Sequence, residues 1–310
     1  MKKLISILLL ACLLVSCAAA EGARVAALKG PTAMGMVKMM EDKAESYSFQ
    51  ICAAADEITP LLTQGKLDIA ALPANLASVL YNRTGGEIQV LAVNTLGVLY
   101  IAEMGNSVHS VADLAGKTIY TAGKGSTPEY ALNHVLAANG LTPGEDVTIE
   151  FKAEHAECLA ALMANTDAVA MLPQPFMTTA LTKSPDMRVA IDLNAAWESS
   201  SEGSIITGVV AARREFVEEN PEIVERFMED YAASVKFTQE NVPEAAQLVG
   251  KYGIVTAEVA EKALPACQIV CITGDEMEEK LSAYLAVLFE QNPEAVGGKL
   301  PDAPFYYKAA

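Results

Sequence analysis

The sequence predicts an α/β fold of two similar lobes, because one arrangement of residues occurs twice along the chain. In the clearer copy, at 118–130, a β-branched strand leads through a glycine turn and a Ser/Thr cap into a helix opened by Pro128. The fainter copy, at 24–32, ends in Lys-Gly-Pro-Thr before a helix. Each copy is followed by an acidic residue, an apolar run and Leu-Pro, at 65–75 and 165–175. Since a strand, loop, helix and second strand make a βαβ unit, the repetition predicts two α/β lobes with a cleft between them.

Composition agrees with two lobes and excludes one class of partner. The chain has 310 residues, of which 52% are hydrophobic, enough for one large or two medium cores. Its net charge of -17 argues against a nucleic-acid partner, because phosphate binding needs a basic face. We interpret the acidity as a solvated surface.

The N-terminus predicts export. Lys2 and Lys3 precede an apolar run at 4–15 that is too short to span a bilayer and is typical of a signal peptide. The run ends in Leu-Val-Ser-Cys17, which resembles a bacterial lipobox. That resemblance implies a signal peptide at 1–16, lipidation of Cys17, and a tether at 17–23 that holds the protein at the outer face of the cell membrane. The alternative is an ordinary secretory peptide cut near Ala20.

Four cysteines remain in the mature chain, and none forms a C-x-x-C pair, which excludes zinc-ribbon and thioredoxin sites. Cys267 and Cys271 are read as buried free thiols in preference to a disulfide. The other two are Cys52 and Cys158.

Lobe one is expected to comprise residues 24–102 and 206–310. Its first helix is predicted from an apolar stripe whose methionines are better explained by core packing than by metal binding. The stripe contains Ala33, Met36, Val37, Met40 and Ala44. Strands are predicted at 48–53, 67–72 and 88–93, and helices at 56–64 and 76–83. The apolar run 98–102 is interpreted as the first strand that crosses between the lobes.

Lobe two is expected to comprise residues 103–205, with Thr127 as the N-cap of a helix that continues to 139. Strands are predicted at 147–151, up to 173 and at 187–191, and helices at 154–165 and from 176. Residues 192–203 read as a polar loop that holds Trp197, the single tryptophan. A second apolar run, 205–212, is interpreted as the return crossing, and helices are predicted at 215–241, 243–252, 256–263 and 275–291.

One segment carries a family resemblance. Ser110-x-x-Asp113-Leu114-x-Gly116-Lys117, followed by a strand and a Gly-Ser/Thr-rich helix start, resembles the extracytoplasmic solute-binding proteins of ABC importers. The similar branch includes nitrate, alkanesulfonate, taurine and thiamine-precursor binders, and the resemblance covers almost the whole mature chain. It implies the periplasmic-binding-protein type II fold, with two Rossmann-like lobes joined by two crossing strands and a helical C-terminal part on lobe one. It also implies a monomer without cofactor that closes on a small molecule and serves permease and ATPase subunits.

The candidate ligand-binding residues are those that end strands or open helices on the cleft side. Two helix starts would offer facing amide donors, three polar side chains would give neutral hydrogen bonds, and two aromatic rings would form a wall. In that order these are Gly30, Pro31, Thr32, Gly125, Ser126 and Thr127, then Asn75, Thr95 and Gln174, then Phe176 and Trp197. Facing helix starts suit a sulfonate-like anion, whereas neutral amides with aromatic rings suit a pyrimidine-like heterocycle, and both ligand classes stay open.

Two other functions were weighed. Enzymes share this two-lobe fold, but the sequence has no Ser or Cys nucleophile motif, no phosphate loop and no H-E-x-x-H. A metal receptor would have to use Glu154, His155, Glu157 and Cys158. Consecutive helix positions point in different directions, so no metal site is predicted there.

Overall fold

The computed structural model describes residues 22–201 and 203–308. Its strands are β1 Arg24–Leu28, β2 Ser48–Cys52, β3 Ile69–Pro73, β4 Ile88–Leu96, β5 Leu99–Met104, β6 Thr118–Thr121, β7 Thr148–Phe151, β8 Val169–Pro173, β9 Met187–Asp192, β10 Ile206–Arg213 and β11 Ile269–Ile272. Its α-helices are α1 Pro31–Met34, α2 Val37–Asp42, α3 Ala55–Thr63, α4 Ala74–Arg83, α5 Thr127–Ala138, α6 His155–Ala164, α7 Phe176–Lys183, α8 Leu193–Glu198, α9 Arg214–Glu219, α10 Pro221–Glu240, α11 Val242–Lys251, α12 Ala257–Ala263 and α13 Gly274–Gln291. Single 3-10 turns lie at Val111–Leu114, Leu264–Ala266, Pro293–Val296 and Ala303–Phe305.

The strands form two mixed sheets, which confirms the predicted fold class. The larger sheet has the order β11-β4-β10-β3-β1-β2, and the smaller one has the order β7-β6-β8-β5-β9. In the larger sheet β1 runs parallel to β2 and β3, while β10 runs antiparallel to β3 and β4. The smaller sheet repeats this plan, because β6 is parallel to β7 and β8, and β5 is antiparallel to β8 and β9. The carboxyl ends of the parallel strands therefore meet at one edge of each sheet, where α/β proteins bind ligands.

The chain passes between the sheets twice. The first passage is the pair Gly97 and Val98 between β4 and β5, and the second runs through α8 between β9 and β10. Asn194 fastens one passage to the other, because its side-chain amide exchanges two 3.4 Å hydrogen bonds with the backbone of Leu99. A Cβ on Gly97 would lie 2.1 Å from Asn194 Oδ1, so this approach requires glycine.

Three local predictions were wrong. The first helix is broken at Gly35 into α1 and α2, because glycine is a poor helix former and its missing side chain lets Ile269 pack there. Residues 192–203 are not one loop, since Asp192 accepts hydrogen bonds from two backbone amides and caps α8. Ser126, not Thr127, is the N-cap of α5.

The C-terminal helices pack on both faces of the larger sheet. On one face, Phe227 and Tyr231 of α10 join Met34 in a fully buried cluster. On the other face, α13 contributes Leu281 to a cluster that also contains Trp197 from the connection between the sheets. The second cluster is therefore continuous with the side chains of the smaller sheet.

The cysteines of the described chain are free, and Cys267 is buried as expected, whereas Cys271 is only partly buried. Cys267 Sγ lies 3.9 Å from Met34 Sδ, and burial raises the pKa of Cys267 to about 12. Cys17 and the predicted signal peptide at 1–16 lie outside the described residues. Ala23, assigned to the tether, is fully buried, and its carbonyl accepts a 3.1 Å hydrogen bond from Ser48 N, so it belongs to the folded body. Within the described chain, every helix is too short or too polar to cross a membrane.

Candidate ligand-binding site

The site is built where buried strands end in polar residues. Thr95 lies near the end of β4, Asn75 in the first turn of α4 after β3, and Thr127 in the first turn of α5 after β6. Their relative exposures are 0%, 1% and 0%. The apolar strands hold these three polar side chains at the sheet edges and away from water, where a buried polar group needs a partner.

Several buried polar atoms near this edge have no hydrogen-bond partner. Native proteins pair nearly all such atoms with protein, water or ligand groups, so a concentration of atoms without a protein partner indicates a candidate ligand site. Asn82 Oδ1, Asn133 Oδ1 and His155 Nδ1 also have no protein partner, but they lie further along α4 and α5 and at the start of α6. We call the following set the cleft groups: Asn75 Oδ1, Asn94 Oδ1 and Nδ2, Thr95 Oγ1, Thr127 Oγ1, Thr207 Oγ1, Trp197 Nε1 and the Tyr284 hydroxyl.

Strand pairing and contacts between elements bring several of the cleft groups close to one another. Gly208 of β10 pairs with both Pro73 and Thr95, which places Thr95 and Thr207 near the start of α4. Asn75 Nδ2 donates to Gly125 O at the start of α5, at 3.4 Å, and to Ala295 O of the C-terminal part, at 3.1 Å. The Tyr284 ring of α13 lies 5.5 Å from the Trp197 ring, between centroids. Burial raises the pKa of Tyr284, and a hydrogen bond with the Thr127 hydroxyl partly offsets the rise. These two hydroxyls therefore interact with each other, and neither has a protein partner outside the pair. The site therefore combines the larger sheet with α4, α5, α8 and α13.

Two of the cleft groups come from β-bulges. Across β4 and β10, Gly208 pairs with Thr95 while the next residue pairs with Val93, which leaves Asn94 as an extra residue of β4. On the other strand Thr207 is extra in the same way. Bulges re-aim side chains and are frequent beside functional sites. A Cβ on Gly208 would lie 2.5 Å from Asn94 Oδ1, so glycine makes room for the asparagine.

The cleft groups are electrically neutral. The buried carboxylates among the described residues are Asp68 and Glu103, and each is paired with arginine in a different part of the fold. Lys29 and Lys124, at the two predicted helix starts, are exposed, and Lys124 Nζ lies 5.6 Å from the centre of the Phe151 ring. Recognition at this site therefore depends on hydrogen bonds and shape.

The other predicted site residues are engaged within the protein. Thr32 Oγ1 donates to Leu28 O at 2.6 Å, and the Phe176 ring packs 5.0 Å from the His155 ring. Further internal bonds join Gly125 N to Glu129 Oε2 at 2.5 Å, Ser126 Oγ to Gly123 O at 2.7 Å, and Thr178 Oγ1 to Gln174 Oε1 at 2.8 Å. Gly30 and Pro31 precede α1, a helix of only four residues. The two helix starts therefore do not present the matched donor sets that the sequence suggested.

Sequence reasoning missed Asn94, Thr207 and Tyr284. The first two interrupt apolar strand runs, and that interruption was the available signal. Tyr284 gave no local signal, because it lies on an amphipathic helix whose docking position depends on the tertiary fold. Among the described residues, no three His, Cys, Asp or Glu side chains are grouped to hold a metal ion, so the metal-receptor alternative gains no support.

Two sheets joined by two close passages, with buried polar groups between them, define a two-lobed solute-binding protein. Residues 36–263 match the family described as ABC transporter, phosphonate, periplasmic substrate-binding protein. The chain belongs to this family. A search of curated proteins finds no match to the chain.

Solved structures share the fold. An ABC transporter from Parabacteroides distasonis is 23% identical with a TM-score of 0.79, and the match covers 93% of this chain and 99% of that one. The periplasmic aliphatic sulphonate binding protein SsuA from Escherichia coli is 18% identical with a TM-score of 0.76, and coverage is 94% and 93%. The nitrate-binding protein NrtA from Synechocystis PCC 6803 is 13% identical with a TM-score of 0.65, and coverage is 92% of each chain.

Proposed function

We propose that this protein is the receptor of an ABC importer that captures one small organic solute in the cleft and delivers it to a permease. The observation that carries the proposal is the set of cleft groups, which come from the larger sheet, α4 and α13 of lobe one and from α5 and α8 of lobe two. The protein acts as a monomer, lobe one (24–102 and 206–310) closing on lobe two (103–205), and a lipid on Cys17 anchors it outside the cell membrane.

A solute in the cleft supplies the missing hydrogen bonds. An unpaired buried polar group costs about 1–3 kcal/mol, so several such groups together favour the closed form only when a ligand pairs them. Closure by rotation about the two passages between the sheets joins the two lobes into one surface. The permease binds that surface, and a separate subunit hydrolyses ATP.

The test is ligand capture by the purified chain and its dependence on Thr127. Native mass spectrometry without added solute should show a bound small molecule that denaturation releases. Thr127→Val keeps the side-chain shape and removes one cleft group, so the affinity for the released compound should fall about tenfold, the value of one hydrogen bond. Thr148→Val on exposed β7 is the matched control and should leave the affinity unchanged. Equal affinities for the two variants would remove Thr127 from the site.

No observation favours an enzyme. The cleft groups are amide, hydroxyl and indole groups without an ionised acid or base. The Ser201 hydroxyl contacts His134 Nε2, but no carboxylate of the described chain forms a hydrogen bond with that imidazole. The third member of a catalytic triad is therefore missing. Membership of a transport family agrees with binding without chemistry.

A further inference from the structure

The cleft groups differ in whether they donate or accept hydrogen bonds, and this pattern indicates which chemical class of ligand can bind. This inference rests on the proposed receptor function. Asn75 is the most informative group, because its amide orientation is fixed. Its Nδ2 faces two carbonyl oxygens, those of Gly125 and Ala295, and only an amide nitrogen can donate to both. The remaining Oδ1 is fully buried and accepts nothing from the protein. It is free to accept a hydrogen bond from a donor on the ligand.

Asn94 adds a paired requirement. Both ends of its side-chain amide are buried without partners, so it offers one donor and one acceptor side by side. A ligand edge with an acceptor next to an N–H satisfies both ends at once, as an amide or a pyrimidine-type ring does. Trp197 Nε1 can only donate, and the threonine hydroxyls can donate or accept.

A deprotonated phosphonate, sulfonate or nitrate meets these requirements poorly. A sulfonate, a nitrate or a doubly deprotonated phosphonate carries acceptors and no donor on its charged head, so Asn75 Oδ1 would stay unpaired beside negative charge. A singly deprotonated phosphonate keeps one P–OH donor and is disfavoured by its charge alone. The compensating positive field is also weak. At the start of α5, the Gly125 N–H is already bonded to Glu129 Oε2 at 2.5 Å, which places a carboxylate where an anion would bind. None of the cleft groups belongs to a lysine or an arginine.

We propose that the cleft selects an uncharged small molecule with an amide-like edge, and discriminates against the phosphonate, sulfonate and nitrate anions typical of the family and its structural neighbours. Asn94 pairs with that edge through two hydrogen bonds. Asn75 Oδ1 accepts a further N–H or O–H of the ligand, and Trp197 donates to a ligand acceptor.

The test uses probes matched in shape and different in charge. The uncharged methanesulfonamide is compared with the anion methanesulfonate, which has a similar shape. Uracil, also uncharged, is compared with the anion methylphosphonate, and all measurements are made at constant ionic strength. Trp197 is the only tryptophan, so its fluorescence in the full-length protein reports binding at the site, with thermal shift as a second readout. Each uncharged probe should bind at least about tenfold more tightly than its anionic counterpart, because one unpaired acceptor alone costs that much.

Two variants of cleft residues test whether the cleft groups cause the preference for uncharged probes. Asn94→Leu removes both ends of the amide at nearly constant size and should abolish the preference for uracil. Thr95→Val is the second variant if the first fails to fold, and it should weaken uracil binding while Thr148→Val does not. Tighter binding of methanesulfonate or methylphosphonate than of the uncharged probes would overturn the proposal. The proposal would also be overturned if none of the four probes bound by either readout.

The experiments distinguish failure of the proposed charge selectivity from failure of the proposed receptor function. If methylphosphonate binds and Thr127→Val weakens that binding, the charge selectivity is wrong and the receptor function stands. If the full-length chain also releases no small molecule in native mass spectrometry and answers none of the probes, both proposals are wrong.

Discussion

Two sets of buried polar groups in the described chain differ in their partners. Asp68 and Glu103 are buried carboxylates whose partners come from the protein, since arginine and backbone donors pair them. The cleft groups are neutral and have no such partners. Other buried polar side chains, such as Ser78 and Thr238, are neutral and donate to backbone carbonyl oxygens. Buried charge without compensation costs far more than a buried neutral group, so the fold pairs every carboxylate it buries and leaves open only uncharged atoms.

Asp68 allows a test of the statement that the protein pairs the carboxylates it buries. Burial by itself raises the pKa of Asp68, but hydrogen bonds from Arg24 and Arg213 outweigh it and hold the pKa below its usual value. A carboxyl group with a lowered folded-state pKa stabilises the fold above its unfolded pKa of about 4. That contribution disappears as the pH falls through the folded-state value.

We expect Asp68→Asn to lower the free energy of unfolding at pH 7 by about 3 kcal/mol, the low end for breaking a buried ion pair. The low end applies because the Arg24 side chain is 46% exposed. Urea unfolding at pH 7 and pH 3 measures the effect, and the gap from the wild type should narrow at pH 3. Asp275→Asn, at a carboxylate that is 92% exposed, is the control and should not change stability measurably. An equal gap at both pH values would contradict the linkage.

At the scale of elements, the bulged pair of β4 and β10 is the feature that makes the site. Apart from the bulged residues and Gln89, Thr95 and Arg213, both strands are apolar or glycine and mostly buried. Their bulges turn Asn94 and Thr207 out of the regular alternation. Gly208 is part of this device, because its missing side chain accommodates both Asn94 and the Thr32 methyl group.

Gly208→Ala therefore tests the bulge. A Cβ there would lie 2.5 Å from Asn94 Oδ1 and 2.8 Å from Thr32 Cγ2. Overpacking of this kind costs about 1–3 kcal/mol, and displacement of Asn94 should also weaken uracil binding about tenfold. Gly35→Ala is the matched control, since its Cβ would lie 2.9 Å from Ile269 Cγ2 in the core. Gly35→Ala should lose stability and keep its affinity; a loss of affinity in both variants would mean that overpacking acts through the whole lobe.

These elements also show what the sequence could supply. The strands β3 and β8 were predictable because each is an apolar run bounded by an acidic residue and Leu-Pro. Helix α5 was predictable too, apart from a one-residue shift of its cap. The bulges were not predictable, because they exist only in the pairing of two strands that are distant in sequence. Tyr284 was hidden for the same reason, since its place beside Thr127 depends on how α13 docks.

At the scale of the whole molecule, the two passages between the sheets set the geometry of the cleft. They touch each other, because Asn194 in the second passage bonds to the backbone of Leu99 beside the first. Although α13 and the cluster around Trp197 contact both lobes, each sheet also has helices of its own. A change confined to the passages should therefore move the lobes relative to each other and leave each sheet intact.

Gly97→Ala should alter the relative position of the lobes without altering the structure within each lobe. Its Cβ would lie 2.1 Å from Asn194 Oδ1, closer than any real contact, so the passages must move apart. We expect unchanged helix and strand content by circular dichroism, a larger radius of gyration by X-ray scattering than the about 19 Å of a compact chain of this length, and weaker uracil binding. Asn194→Ala alone removes two long hydrogen bonds and should have a small effect. Because the proposed cause is one steric contact, the double variant Gly97→Ala/Asn194→Ala should recover most of the affinity, as a double-mutant cycle requires of interacting residues. Additive losses in that cycle would show that the strain lies in the backbone of Gly97 and not in its approach to Asn194.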